Sequence, residues 1–252
     1  MTAINPQFHG FRPFLRKELL EWWKGRTAIV TLAAVSALGI IGTLATRIDE
    51  LAGGTPESGM LEPTANVLGA QFNTWILFAG IFASIGILTQ ERTTGTLAWT
   101  LSKPVSRSSL LLAKWTAALI MLGLFGVVLP LTVSVAVATW SYGSLPDLVV
   151  VARYGLVLLA LPAFFVALNL AVATRINSQA AIAAIAFGVM AVPYFAGAFL
   201  PALVEFWPTS IAEMAAPFAI ESMVHLPTVA SWAVAIVSLG VVGLVVINRE
   251  DM

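Results

Sequence analysis

The chain has 252 residues, of which 59% are hydrophobic and only 10% are charged. Soluble domains carry about 25% charged residues, so this composition excludes an ordinary soluble domain and is typical of a polytopic membrane protein. The formal net charge is zero, which gives no indication of a nucleic-acid partner, and the lack of cysteine excludes disulfides, thiolate metal ligands and cysteine nucleophiles.

The first predicted element is an amphipathic helix over residues 11–24. Apolar residues recur at helical spacing on one face, and these are Phe11, Leu15, Leu19 and Trp22. The basic residues fall mostly elsewhere on the helix: Arg12, Arg16, Lys17 and Lys24. Basic residues opposite Leu and Trp are typical of a helix in the membrane interface, although a solvated lead-in to the first span is the alternative.

Six long runs without a charged residue follow. A helix rising about 1.5 Å per residue needs roughly 20 apolar residues to cross the bilayer core, and each run is long enough. Continuous apolar runs favour helices over a barrel, whose strands alternate in polarity. We therefore predict an all-α protein with six transmembrane helices near residues 27–46, 67–89, 112–138, 150–173, 178–199 and 229–248.

Six spans place both termini on one side of the membrane, and the basic residues indicate which side. If the termini and the connections after spans two and four are cytoplasmic, 11 of the 13 Lys and Arg residues lie inside. Only Arg47 and Arg153 then lie outside. The positive-inside rule therefore predicts cytoplasmic termini in a plasma or inner membrane.

The connection between spans two and three, residues 91–111, is longer than the topology requires. Gly95 permits a break after span two, and Pro104 disfavours helix at Lys103, so a short helix over 96–101 is predicted. Ser106 is predicted to cap the next helix. The short helix exposes apolar residues among polar ones, which indicates either a protein-docking surface or a loop with Trp99 in the lipid headgroups.

The segment over residues 201–228 is cut by four prolines into short apolar pieces. Ser210 followed by Glu213 fits a capping box, which predicts a helix beginning near residue 210. The pieces are predicted to form short re-entrant helices covered by other protein, or a pair of helices resting on the membrane surface.

The connection after span two resembles the permease subunits of ABC-2 type transporters. The matching residues are Glu91, Gly95, Thr96, Leu97, Leu101, Ser102, Pro104, Val105, Ser106, Arg107 and Lys114. The resemblance extends over the whole chain and is closest to the separate six-span permeases of multidrug-type and NosY-like systems. It implies a single transmembrane permease domain over residues 1–252.

The resemblance also implies roles for three segments. Residues 91–110 would be the coupling segment that docks on a separate ATP-binding subunit, through Glu91, Gly95, Thr96, Leu97, Trp99, Leu101, Pro104 and Arg107. The interface helix would pack beside it, with Arg16, Lys17, Glu18 and Trp22. Residues 201–228 would form an extracellular re-entrant gate, with Phe206, Trp207, Ile211, Met214 and Phe218.

The working unit implied by the resemblance is an exporter with two ATP-binding subunits and a second permease copy, either the same chain or a close paralogue. ATP and Mg would bind to the partner, because this sequence has no Gly-rich phosphate loop ending in Gly-Lys-Ser/Thr, and we expect no directly bound cofactor or metal. Membrane lipid is expected around the spans. The alternatives are an ion-driven secondary transporter or channel, which the uncharged span interiors disfavour, and a membrane anchor without transport.

Overall fold

The computed structural model describes residues 10–52, 62–70, 72–96, 106–197, 199–200 and 204–249. The helices among them, in chain order, are α1 (Phe11–Lys24), α2 (Arg26–Leu51), α3 (Glu62–Gly69), α4 (Phe72–Ser84), α5 (Thr89–Thr93), α6 (Arg107–Leu122), α7 (Leu129–Tyr142), α8 (Leu148–Leu158), α9 (Ala160–Ala173), α10 (Gln179–Ala196), α11 (Ala215–Glu221) and α12 (Leu226–Arg249). A π-helix, Gly123–Val128, joins α6 to α7, and a 3-10 helix, Pro208–Ala212, precedes α11. The described part of the chain contains no strand, so the predicted all-α architecture is confirmed.

Five helical stretches in the described part are long and apolar enough to cross a membrane, and these are Arg26–Asp49, Pro63–Thr93, Arg107–Tyr142, Leu148–Ala173 and Leu226–Ile247. They coincide with five of the six predicted spans. The remaining prediction, near 178–199, corresponds to the shorter apolar stretch Gln179–Pro193. The chain is therefore an all-α polytopic membrane protein, and a sixth crossing by the shorter helix stays a prediction.

The stretch from α6 to α7 changes its helical pitch next to a proline. Pro130 has no N–H to donate to the carbonyl of Gly126, and its ring crowds that carbonyl. The preceding residues form the π-helical turn, in which the Leu129 N–H donates to the Leu124 carbonyl five residues back. The stretch therefore accommodates the proline by widening one turn while remaining continuous.

Helix α9 lies at the centre of the bundle. Nearly all of its residues are buried, and it packs against α4, α6 and α12. The Trp115 indole N–H donates to the Ala163 carbonyl at 3.2 Å, and the Trp232 indole N–H donates to the Ala160 carbonyl at 2.9 Å. The outer faces of α2 and α12 remain apolar and exposed, as expected for surfaces that contact lipid or a second membrane subunit.

The bundle has two ends, which differ in the elements they carry. At one end, α1 packs against α6, and the C-termini of α9 and α12 lie nearby through contacts from Arg92 and Arg107. At the other end, α11 packs against α8. Helix α8 is the first half of the apolar stretch Leu148–Ala173, and α9 is its second half. We call the two ends of the bundle the α1 end and the α11 end.

Candidate functional site

The face of α1 that packs on the bundle is centred on a carboxylate. Phe14, Glu18 and Trp22 are buried, one helical turn apart, and Glu18 is only 4% exposed. The predicted apolar residues Phe11, Leu15 and Leu19 are partly buried and pack against the same core cluster, but the sequence did not predict that Glu18 lies at the centre of this face. The physical reason is that a lysine from α6 lies opposite Glu18 and compensates its charge.

That lysine is Lys114, whose side chain is 1% exposed. Its Nζ lies 3.0 Å from Glu18 Oε1 and 3.0 Å from Glu91 Oε1. Lys17 approaches from α1 and donates to Glu91 Oε1 at 2.9 Å. We call Lys17, Glu18, Glu91 and Lys114 the ion-pair cluster. It contains two positive and two negative groups, and it joins α1, α5 and α6.

Burial makes the ion-pair cluster sensitive to the loss of any member. Taking a charge out of water is costly, so removing one partner from a buried pair leaves the other uncompensated and typically costs about 3–5 kcal/mol. Glu91 Oε2 is also buried and has no hydrogen-bond partner. The Glu91 carboxylate therefore depends on the lysines at its other oxygen.

Lys17 lies at the edge of the cluster, where Glu21 also contacts its Nζ at 3.2 Å. Partial burial favours the neutral amine, but the hydrogen bond to Glu91 and the carboxylates of Glu18 and Glu21 outweigh this and raise the pKa of Lys17. Its ammonium group therefore stays charged at physiological pH. The three carboxylates lie close enough to offer oxygens to one metal ion, but each already contacts a lysine ammonium group, and we assign no metal site here.

Two arginines bind the C-termini of long helices at the same end of the bundle. Arg92 donates from Nη2 to the Thr174 carbonyl at 2.8 Å and from Nη1 to Asn177 Oδ1 at 2.9 Å, directly after α9. Arg107 donates from Nη1 to the Ile247 carbonyl at 2.8 Å, in the last turn of α12. Cations at helix C-termini satisfy free carbonyls and the helix dipole, so both contacts are favourable.

The residues that flank the predicted coupling helix adopt the backbone conformations that their residue types favour. Gly95 has a positive φ of 73°, which glycine adopts without steric cost, and the chain leaves the helical path there as predicted. Thr96 Oγ1 donates to the Glu91 carbonyl at 3.3 Å. Ser106 Oγ accepts from the Ser109 N–H at 3.1 Å, which confirms the predicted cap of α6.

The remaining predicted coupling residues, Leu97, Trp99, Leu101 and Pro104, lie outside the described residues, as does the predicted helix over 96–101 beyond its first residue. Among the interface-helix residues, Trp22 is buried beside the cluster and Arg16 is exposed.

The predicted site residues omit two side chains that the structure brings to this end, Lys114 and Arg92. A lysine at the start of a long apolar run, where no solvent-facing loop requires it, is the signal that identifies Lys114. Arg92 carries no comparable signal, because its partners lie far away in the sequence.

At the α11 end, the prediction of a capping box at Ser210 was wrong. Ser210 lies inside the 3-10 helix, and its Oγ donates to the Val204 carbonyl at 2.6 Å. The following helix, α11, begins at Ala215. Proline is favourable in the first turn of a helix, so Pro208 begins the 3-10 helix and Pro217 sets the start of α11.

The predicted gate residues do not share one environment. Ile211 is buried against the core, Phe206 is 57% exposed, and Met214 and Phe218 are half-buried. The Trp207 indole N–H donates to the Val189 carbonyl at 2.9 Å. That carbonyl would otherwise bond to the N–H of the residue four positions on, which is a proline, Pro193, inside α10.

The helices, five of them long and apolar enough to cross a membrane among the described residues, define the class of this molecule as a multi-pass, all-helical membrane protein. A family model described as "ABC-2 family transporter protein" matches residues 13–247, from α1 to the last turns of α12. The chain therefore belongs to the ABC-2 transporter family, as a membrane permease subunit of an ABC transporter. Such subunits are generally non-catalytic and work with an ABC ATP-binding partner. None of the curated proteins compared with the chain matches it.

Proposed function

We propose that this chain is the permease subunit of an exporter in the plasma or inner membrane, with both termini in the cytoplasm. Two copies, or one copy and a close paralogue, form the substrate path, as in the multidrug-type and NosY-like systems. Two ATP-binding subunits bind ATP and Mg and dock on residues 91–110. Residues 201–228 form the gate on the opposite side.

The observation that supports this proposal most strongly is the set of contacts on both flanks of the predicted coupling helix. On one flank, Glu91 joins the ion-pair cluster and Arg92 holds the end of α9. On the other, Arg107 holds the end of α12. A displacement of the residues between these flanks would therefore be passed to α1, α6, α9 and α12 together.

Buried ion pairs suit this task because they resist separation. Pulling Lys114 away from Glu18 or Glu91 would leave buried charges without their partner, which is costly. The cluster therefore favours movement of α1, α5 and α6 as one unit. This is the behaviour that a permease needs in order to receive force from a docked subunit.

The alternative of an ion-driven transporter would be supported by ionisable side chains inside the bundle, because these form ion and proton pathways. Among the described residues, the buried charged side chains are Glu18 and Lys114, and both lie at the α1 end. They pair with each other at 3.0 Å. Their position supports a role in transmitting movement rather than in a relay across the membrane.

Co-purification tests the proposed function. The tagged chain should retain a second chain that contains a Gly-rich phosphate loop, and Leu97→Glu or Trp99→Glu should abolish this retention while membrane insertion is unchanged. Phe206→Glu is the matched control, because it places the same charge on an exposed side chain at the α11 end. Retention of the ATP-binding chain by both coupling variants, with normal stimulation of its ATPase, would show that docking occurs elsewhere.

A further inference from the structure

A cavity of about 670 Å³ lies at the α11 end, between the end of α10, the 3-10 helix and the start of α12. Its volume falls within the range of about 300–1,000 Å³ that small-molecule sites occupy in proteins. Apolar side chains form much of the wall, among them Val204, Met214 and Met223. Methionine side chains are flexible and polarizable, so such a wall can adapt to apolar ligands of different shape.

The charged groups in this wall are of one sign. Glu205 and Glu213 line the cavity, and within the described ranges neither carboxylate has a cationic partner. The sequence supplies none locally, because it contains no Lys or Arg between Arg175 and Arg249. Arg153, which reaches this end from α8, donates to Ser222 Oγ at 3.0 Å.

The hydroxyl groups of Thr228 and Ser210 in the wall already donate their hydrogens to backbone carbonyls, so neither can donate to a ligand. Thr228 Oγ1 donates its hydrogen to the Glu205 carbonyl at 2.9 Å, so it can only accept from His225 Nδ1, which lies 2.8 Å away. In the neutral imidazole, this contact places the hydrogen on Nδ1 and leaves Nε2 as an acceptor. The Ser210 hydroxyl is likewise used, because it donates to the Val204 carbonyl.

We propose that this cavity binds an amphipathic cation, an organic ammonium or amidinium-like group carried on an apolar body, and that such molecules are the substrates of the transporter. The two carboxylates and the His225 Nε2 match a donor-bearing cation, and the Met and Val side chains match its apolar body. An anion would meet unpaired carboxylates and is disfavoured. The assignment of the ligand as transported substrate rests on the proposed function, whereas its binding does not.

The binding experiment uses the purified chain in nanodiscs of zwitterionic phosphatidylcholine, without nucleotide or any ATP-binding subunit. The probe is ethidium, a planar cation with amino donors, followed by its fluorescence. Glu205→Gln combined with Glu213→Gln keeps the side-chain shapes and should weaken binding about tenfold, since exposed ion pairs are individually weak. Glu221→Gln is the matched control: it removes a carboxylate at the end of α11 that does not line the cavity, and binding should stay within about twofold.

A second measurement keeps the proposal testable if the double variant folds poorly. Raising NaCl from about 50 to about 500 mM should weaken ethidium binding to the wild-type chain, because salt screens exposed charges. Uncharged phenanthridine, which has the same ring system, should bind more weakly and without this salt dependence. Equal affinity for the two probes, no effect of the two carboxylates, or equal binding to empty nanodiscs would overturn the proposal.

The outcome is separable from that of the proposed function. A chain that binds ethidium through Glu205 and Glu213 but retains no ATP-binding subunit would support the cavity and refute the transporter assignment. A chain that retains the ATP-binding subunit but binds ethidium no better than empty nanodiscs would refute the cavity alone.

Discussion

The α1 end and the α11 end of this bundle are held together by different chemistry. At the α1 end, Lys114 lies between two carboxylates, each 3.0 Å from its Nζ, and all three groups come from separate helices. At the α11 end, uncharged side chains donate to backbone carbonyls, as Trp207 does to Val189 and Thr228 to Glu205, and the charged Arg153 donates to the neutral Ser222 hydroxyl.

The difference corresponds to different mechanical properties. Breaking a buried ion pair is costly, so the ion-pair cluster holds three helices in one fixed arrangement. A neutral hydrogen bond contributes about 0.5–1.5 kcal/mol net, so the α11 end can rearrange by exchanging one such bond at a time. A rigid end and an adjustable end are what a permease requires if force enters at one side and an opening forms at the other.

The largest expected effect concerns Lys114. Lys114→Met keeps most of the side-chain volume but removes the fully buried cation from between Glu18 and Glu91, so the free energy of unfolding should fall by about 3–5 kcal/mol. Unfolding in mixed dodecyl sulfate micelles measures this. Lys24→Met, an exposed lysine in the last turn of α1, is the matched control and should change it by about 0.5 kcal/mol or less. Equal values for the two variants would remove the basis for calling the α1 end rigid.

Two glutamates of α1 give the next comparison. Glu18→Gln removes a buried charged acceptor and should cost about 2 kcal/mol, whereas Glu21→Gln removes a half-exposed partner of Lys17 and should cost about 0.5 kcal/mol or less. The same micelle titration checks both. A larger loss for Glu21→Gln would place the important contact at the surface of α1 instead of at its buried face.

At the α11 end, Trp207 and Pro193 form a testable pair. Trp207→Phe should cost about 1 kcal/mol, because it leaves the Val189 carbonyl without a donor. In a Pro193→Ala background the same change should cost little, since the new N–H at position 193 can donate to that carbonyl. A double-mutant cycle measures the difference as a coupling free energy. Additive effects would mean that Trp207 acts through packing alone.

The smallest expected effect concerns Arg153, a basic side chain at the α11 end. Arg153→Gln removes one exposed hydrogen bond to Ser222 and should change the free energy of unfolding by about 0.5 kcal/mol or less. Thermal unfolding in detergent, compared with Lys114→Met, checks this ranking. An Arg153 effect as large as that of Lys114 would show that charge stabilises both ends alike.

The features that the sequence predicted correctly are those with local signals. Long apolar runs predicted the helical stretches, Gly95 predicted a break, and Ser106 predicted a cap, because each depends on residues within one or two turns. The π-helix also has a local signal in the sequence, which is Pro130 following Gly123 and Gly126.

The features that sequence did not predict depend on distant or competing residues. Glu18 is buried only because Lys114, 96 residues away, lies opposite it, and no periodicity in α1 reports that contact. The Ser210–Glu213 spacing fits a capping box, but Ser210 lies inside a 3-10 helix that begins at Pro208. The next helix has Pro217 in its first turn, so the prolines indicate the helix starts better than the capping-box pattern does. The break at Gly95 and the cap at Ser106 could therefore be predicted from the sequence, whereas the electrostatic arrangement at the α1 end could not.

The π-helical turn Gly123–Val128 has a geometric consequence for the stretch that begins beside the ion-pair cluster. A π-turn stores one residue more than an α-turn, and an α-helix advances about 100° and 1.5 Å per residue. Converting this turn to α-helical geometry would therefore rotate α7 by roughly a quarter revolution about its own axis. Helix α6 would keep its position, because Lys114 pairs with Glu18 and Glu91. One helix could then present different side chains at its far half without any displacement of its near half.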